Sequence, residues 1–186
     1  MKLKTLNSYY HNLANKIKLI DTKQVSKAID ILEKAIKKNA FVYSCGNGGS
    51  AAIANHFHVD YLKGINQSTK KKSRFLSLCS NVETITAIAN DFGYEHIYSK
   101  QLNIYLKTND VLFCISSSGN SKNIINALKL AKKKKIKTIL LSGFDGGKAS
   151  KIADINIHIN SKNYGIIEDC HQSIMHLISQ KIAKII

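Results

Sequence analysis

Val111-Leu112-Phe113-Cys114-Ile115 runs straight into Ser116-Ser117-Ser118-Gly119-Asn120-Ser121. The first five residues read as a strand buried on both faces, and the next six as a turn of small polar residues that opens a helix. The pattern occurs earlier too, where Phe41-Val42-Tyr43-Ser44-Cys45 is followed by Gly46-Asn47-Gly48-Gly49-Ser50. A strand that turns sharply into a helix presents backbone N–H groups at the positive end of the helix dipole. Glycines let that backbone approach a ligand, and serine hydroxyls add donors. Two such loops in one small chain point to a bound phosphate. No P-loop lysine is present, and the first loop lacks the third glycine of the dinucleotide fingerprint. No organic cofactor is expected.

Working outward, strands are expected at 41–45, 75–79, 111–115, 137–142 and 155–159. Helices are expected at 50–63, 82–90, 94–106, 121–134 and 166–185, with a short turn near 147–152. Near-continuous apolar strands alternating with helices predict an α/β fold, a doubly wound five-stranded parallel sheet covered on both faces. Ligands of such sheets bind beyond the carboxyl ends of the strands, and both small-residue loops stand at carboxyl ends. Ahead of the sheet lie two helical patterns. Leu6, Tyr9, Tyr10, Leu13, Ile17 and Ile20 mark the first. After a cap at Asp21-Thr22, Val25, Ala28, Ile29, Leu32, Ala35 and Ile36 mark the second, to about Lys38. The 186 residues are read as one domain, 1–186, whose residues 1–38 form a helical extension packing on the domain or on a neighbouring subunit.

Composition narrows the function. The net charge is +16, but Arg74 is the only arginine. Arginine is the usual bidentate reader of phosphates and guanine edges. The lysines form two short clusters, Lys70-Lys71-Lys72 and Lys132-Lys133-Lys134-Lys135, and otherwise scatter over helix faces. They read as a solvated surface whose field attracts anionic metabolites, not as a nucleic-acid site. No apolar run reaches the roughly 18 residues of a membrane span, and Met1-Lys2-Leu3-Lys4-Thr5 has no signal-peptide core. A cytoplasmic protein with no membrane partner is expected. Cys45, Cys79, Cys114 and Cys170 are too widely spaced for a zinc knuckle.

Three places carry residues suited to chemistry. His56 and Asp60 stand four apart on the helix after the first loop and share a face, with His58 pointing away. Taken alone, that pair reads equally as surface polarity. On the last helix Glu168, His171, Gln172 and His176 fall near one stripe, as interface polars or as a carboxylate and imidazoles facing a cavity. Such groups move protons or hold a metal, and His56, Asp60, Glu168 and His176 form a sensible zinc set. Asn90-Asp91-Phe92-Gly93 reads as a helix stop, with Asp91 placed to meet a sugar hydroxyl.

With these stretches assembled, the chain resembles the sugar isomerase (SIS) domain family, and within it the phosphoheptose isomerase branch. The matching segments are Cys45 to Ser50, Ala87 to Gly93, Ile115 to Ser121, Gly143-Phe144-Asp145-Gly146-Gly147, and His171 to His176. The resemblance implies a flavodoxin-like sandwich and a homo-oligomer, a tetramer, with active sites between subunits. It implies that Ser116, Ser117, Ser118 and Ser121 hold a sugar phosphate, and that Asn47, Gly48, Gly49, Ser50, Asn90 and Asp91 contact the sugar. Asp60 and His176 fall at the family's acid and base positions, and Glu168 is a further candidate for the proton transfer. His56, Asp60, Glu168 and His176 fall where some members hold one zinc per subunit. Two departures stand out: the family's helix glutamate is Asp60 here, and its late-helix glutamine is Glu168. The implied reaction is aldose–ketose isomerisation of sedoheptulose 7-phosphate to D-glycero-D-manno-heptose 7-phosphate through an enediol, a step toward lipopolysaccharide or capsule heptose. The alternatives are a related ketose phosphate and a non-catalytic sugar-phosphate-binding module.

Overall fold

The computed structural model describes residues 3–69 and 71–186, with side chains at the amino end described from Asn7 onward. Met1, Lys2, the side chain of Leu6, and Lys70 of the first basic cluster lie outside the described residues.

The five apolar runs pair into one parallel sheet. Its strands are β1 (Phe41–Cys45), β2 (Arg74–Ser77), β3 (Val111–Ser116), β4 (Lys137–Ser142) and β5 (Ile155–His158), in the order β2-β1-β3-β4-β5. The order reverses between β1 and β3, which pair in register from Val42 opposite Val111 to Cys45 opposite Cys114. This is the switch point of a doubly wound sheet, where the loops leaving adjacent strands diverge and leave a crevice. The two small-residue loops border that crevice.

Strand alternation sorts the core into two layers. Val42, Val111, Phe113, Ile115, Ile139, Leu141 and Ile157 point to one face, under α2 (Thr22–Lys37), α3 (Gly49–Val59) and α9 (Tyr164–Ile185). Tyr43, Cys45, Leu112, Cys114 and Leu140 point to the other, under α6 (Ile97–Tyr105) and α7 (Lys122–Lys133), with α5 (Val82–Phe92) at the margin. All six residues of β3 are buried, as a central strand covered on both faces requires. Two short helices complete the chain, α4 (Asn66–Ser68) and α8 (Gly147–Ser150).

The amino-terminal pair packs on its own domain. Asp21 caps α2 by accepting from the N–H groups of Lys23 (2.9 Å) and Gln24 (3.2 Å). The buried stripe of α2 is Val25, Ala28, Leu32, Ala35 and Ile36. α1 (Leu3–Lys18) lies along α9, where the Tyr9 hydroxyl donates to Asp169 Oδ2 at 2.6 Å.

Three elements differ from the sequence expectation. The helix expected over 94–106 opens as a 3₁₀ turn, Tyr94–His96, and is α-helical over Ile97–Tyr105. β2 ends at Ser77, not at residue 79, because serine side chains close a turn there: Ser77 Oγ accepts from Cys79 N–H, and Ser80 Oγ donates to the Ser77 carbonyl. The helix expected over 50–63 is α-helical only to Val59, and Asp60–Ile65 forms a π-helical turn. Turns of this kind are rare and concentrate at functional sites. This one begins at a residue expected to do chemistry.

Candidate active site

The crevice is built by two loops that hold each other. Asn47, in the first loop, and Asn123, in the first turn of α7, form a reciprocal amide pair. Asn47 Nδ2 donates to Asn123 Oδ1 at 3.0 Å and Asn123 Nδ2 donates to Asn47 Oδ1 at 2.8 Å. The Tyr94 hydroxyl also donates to Asn47 Oδ1, at 3.0 Å. Asn123 is buried, and this pairing supplies its amide with the partners a buried polar group needs. Behind the first loop, the buried Tyr98 hydroxyl donates to the Gly46 carbonyl. The serine loop is pinned from the other side. A Cβ at Gly119 would overlap the Gly146 carbonyl, and the Ala149 N–H donates to the Gly119 carbonyl at 2.9 Å. The β3 and β4 loops therefore interlock by backbone contact.

Between the loops is a cavity of about 140 Å³ lined by Asn47, Ser50, Ile115, Ser116, Ser117, Ser118, Ser121, Tyr164 and Glu168. Ser117 is buried and its Oγ has no hydrogen-bond partner among the described residues. Ser121 is the N-cap residue of α7, yet its side chain makes no capping bond. A serine at that position normally bonds the first free N–H groups of its helix. Both hydroxyls and the helix N-terminus are left available to an anion. The volume suits one compact group such as a phosphate.

Glu168 reaches this cavity from α9. Its carboxylate rests on the first residue of α3, and a Cβ at Gly49 would overlap it. The atoms it would meet are the far end of a flexible side chain, which can swing aside. Among the described residues Glu168 makes no hydrogen bond or ion pair, and its carboxylate stands free at the cavity wall.

A second cluster lies further along α9. His56, Asp60 and His176 each offer one ligand atom, all within 4.8 Å of one another. His56 Nε2 is 3.7 Å from Asp60 Oδ1, and His176 Nδ1 is 3.4 Å from Asp60 Oδ2. These separations are too long for good hydrogen bonds. The edge of a tetrahedron of donors around zinc is about 3.4 Å for bonds of about 2.0–2.1 Å, which the His176–Asp60 separation equals and the His56–Asp60 separation exceeds slightly. Two imidazoles and a carboxylate, with one position open, are the donor set of a catalytic zinc site. Ser179 Oγ donates to Asp60 Oδ2 at 2.9 Å and holds the carboxylate in place. A cavity of about 250 Å³, lined by Asp60, His176 and Ser179 among others, opens beside the cluster.

The structure thus brings together most of the residues singled out in the sequence, and redistributes others. Asn47, Ser50, Ser116, Ser117, Ser118 and Ser121 line one cavity, and Gly48 and Gly49 form the turn into α3. His56, Asp60 and His176 cluster. Glu168, expected as a fourth metal ligand, is not in that group. The side chain against the two imidazoles is Gln172, whose Nε2 lies 2.9 Å from His56 Nδ1 and 2.9 Å from His176 Nε2. Asn90 and Asp91 line neither cavity; they are exposed at the end of α5, where Asn90 Nδ2 donates to Asp91 Oδ1 at 2.9 Å. His171 turns to the sheet, fully buried, with Nε2 3.1 Å from the Ser142 carbonyl. Burial pushes its pKa down to about 4. His58 does point away, toward the Ser77 N–H, and burial lowers its pKa as well. Tyr164, Asn123 and Tyr94 were not found from the sequence; a lone tyrosine or asparagine on a helix carries no spacing signal.

Comparison with known proteins identifies the family. The sequence profile described as "SIS domain" matches residues 8–143. A phosphoheptose isomerase of Aliarcobacter butzleri is 38% identical over 167 residues, covering 89% of this chain and 88% of the relative. That of Buchnera aphidicola subsp. Schizaphis graminum is 40% identical over 161 residues, covering 86% and 82%. The solved phosphoheptose isomerase of Neisseria gonorrhoeae superposes with a TM-score of 0.91 at 26% identity, covering 98% of both chains.

Proposed function

Because the chain belongs to the phosphoheptose isomerase branch of the SIS domain family, we propose that it converts sedoheptulose 7-phosphate to D-glycero-D-manno-heptose 7-phosphate. The observation that carries this reading is the buried Ser117 hydroxyl, unpartnered among the described residues, in a cavity made by both loops, with the Glu168 carboxylate at its wall and the His176 imidazole, clustered with Asp60, further along α9. Ser116, Ser117, Ser118 and Ser121 hold the phosphate, and Asn47, Gly48, Gly49 and Ser50 meet the sugar.

Dimensions favour a long carbon chain. Glu168 and His176 are eight residues apart on α9, about 12 Å at 1.5 Å per residue. A seven-carbon chain with bonds of about 1.5 Å spans about 8 Å extended, and its phosphate adds 2–3 Å. A phosphate at the serine turn therefore leaves the carbonyl end near Asp60 and His176. There the isomerisation needs one group to take the proton from the carbon next to the carbonyl. A second must move the proton between the two oxygens of the enediol. Asp60, His176 and Glu168 are the groups for this work, and positioned proton transfer contributes roughly 10²–10⁴-fold. The π-helical turn at Asp60 moves that backbone off the α-helical path, where one methylene less must still reach.

His56, Asp60 and His176 would hold one zinc ion per subunit, which supplies Lewis-acid polarisation of the carbonyl oxygen. The reading includes a cytoplasmic homotetramer. Tyr10, Leu19, Val59, Leu62 and Leu177 are exposed apolar residues on α1, α3, α9 and the segments that follow α1 and α3, and this reading assigns them to contacts between subunits. Asn90 and Asp91 would then contribute to a neighbouring subunit's site. No helix among the described residues is long and apolar enough to cross a membrane. Incubation with sedoheptulose 7-phosphate, following the aldose product, tests the reaction. Turnover only of another ketose phosphate would keep the reaction class and reject the substrate. Binding without turnover of any ketose phosphate would reject the enzyme.

A further inference from the structure

His56 and His176 each turn one ring nitrogen to Asp60 and the other to Gln172. His56 presents Nε2 to Asp60 at 3.7 Å and Nδ1 to the Gln172 amide nitrogen at 2.9 Å. His176 presents Nδ1 to Asp60 at 3.4 Å and Nε2 to the same amide nitrogen at 2.9 Å. One NH₂ group carries two hydrogens, so this amide donates to both far nitrogens at once. Donation requires lone pairs there, and the ring hydrogens then lie on the Asp60 side. In that arrangement only the carboxylate offers lone pairs to a cation. Turning the amide over reverses everything. Its oxygen has two lone pairs and accepts from two far N–H groups, which leaves unprotonated nitrogens on the Asp60 side. The two amide orientations have nearly the same shape, so packing does not choose between them; the hydrogens do.

We propose that Gln172 is a positioning residue that sets the tautomers of His56 and His176 together, and through them governs whether the His56–Asp60–His176 group accepts a divalent cation. The amide nitrogen faces the rings in the cation-free protein, and the amide oxygen faces them when a cation is held. The inference rests on the cation site of the proposed function. The resemblance places the family's glutamine at Glu168. Here the amide stands one turn later, about 6 Å along α9, behind both rings. Partners of this kind on the outer nitrogen orient metal-ligating imidazoles, and losing them typically weakens metal affinity 10- to 100-fold.

The test uses ¹⁵N-histidine NMR of the cation-free protein, with zinc alone as the added probe. Wild type is expected to show His56 protonated at Nε2 and His176 at Nδ1, both switching to the other nitrogen when zinc binds. Gln172→Glu replaces a donor by a group that only accepts. Its rings are expected to hold the switched tautomers before zinc is added, and to bind zinc at least tenfold tighter. Gln172→Leu should unlink the two tautomers and weaken zinc binding 10- to 100-fold, with an unchanged melting temperature. Equal zinc affinity and equal tautomers in wild type and Gln172→Leu would overturn the proposal. So would an affinity that responds to Glu168→Gln and not to Gln172→Leu, or a wild-type protein that binds no zinc. None of these readings uses an isomerase assay: absent turnover with the tautomer switch intact rejects the reaction and leaves this inference standing.

Discussion

The Glu168 carboxylate rests on Gly49, so the chain's last helix closes over the loop that follows its first strand. The methyl group of Gly49→Ala would meet the end of a flexible side chain that no bond holds, so the carboxylate swings aside and leaves its place at the cavity wall. Gly49→Ala is expected to stay within about 0.5 kcal/mol of wild type in urea denaturation, while its turnover of the sugar phosphate falls toward that of Glu168→Ala. A clear loss of stability in Gly49→Ala that Glu168→Ala does not restore would mean that the methyl group strains the backbone itself.

Ser117 should display a trade between stability and binding. Its hydroxyl is buried without a partner among the described residues, and leaving such a group unsatisfied costs about 1–3 kcal/mol. Ser117→Ala is therefore expected to melt at the wild-type temperature or above it, while KM for the sugar phosphate rises and inorganic phosphate inhibits less. A destabilised Ser117→Ala protein with unchanged KM would place the hydroxyl in the fold and outside the binding site.

His171 should make the fold acid-sensitive. Burial beneath Ser142, with His158 nearby, holds its pKa near 4 against an ordinary 6.5. The unfolded chain therefore binds the proton more readily than the folded one between those values. Stability is complete above about pH 6.5 and falls as pH drops toward 4, by about 3 kcal/mol in all at about 1.4 kcal/mol per unit. His171→Gln keeps a donor for the Ser142 carbonyl without a titrating ring. Urea midpoints at pH 7 and pH 4.5 are expected to differ less in that variant than in wild type; an equal drop would assign the acid sensitivity to other groups.

Ser179 orients Asp60 through a single bond of 2.9 Å from a neighbouring helix. Removing it frees the carboxylate to rotate without touching the serine cavity. Ser179→Ala is expected to lower kcat by roughly 10- to 100-fold with KM nearly unchanged, and Ser179→Thr, which keeps the hydroxyl, to recover much of it. A change in KM alone would show that Ser179 acts on binding.

The alternation of apolar runs with helical patterns determined the parallel sheet, because strands buried on both faces must be apolar throughout. The clusters 46–50 and 116–121 determined where the anion site lies, because small residues between a strand and a helix leave a positive helix end uncovered. Spacing also paired His56 with Asp60, one helical turn apart. Spacing could not say which flank of α9 meets the sheet. From Glu168, the side chains of Gln172 and His176 are rotated by about 40° and 80° in one direction, and that of His171 by about 60° in the other. All four therefore read as one stripe. Only the packing of α9 against the sheet, α3 and the π-helical turn sent His171 into the core, Glu168 to the serine cavity, and Gln172 between the two imidazoles. The π-helical turn at Asp60 was likewise silent in the sequence, since no residue type there demands it. Local pattern determines what each element is; the rotation of one element against its neighbours is set by the whole core at once, and that rotation decided which side chains meet.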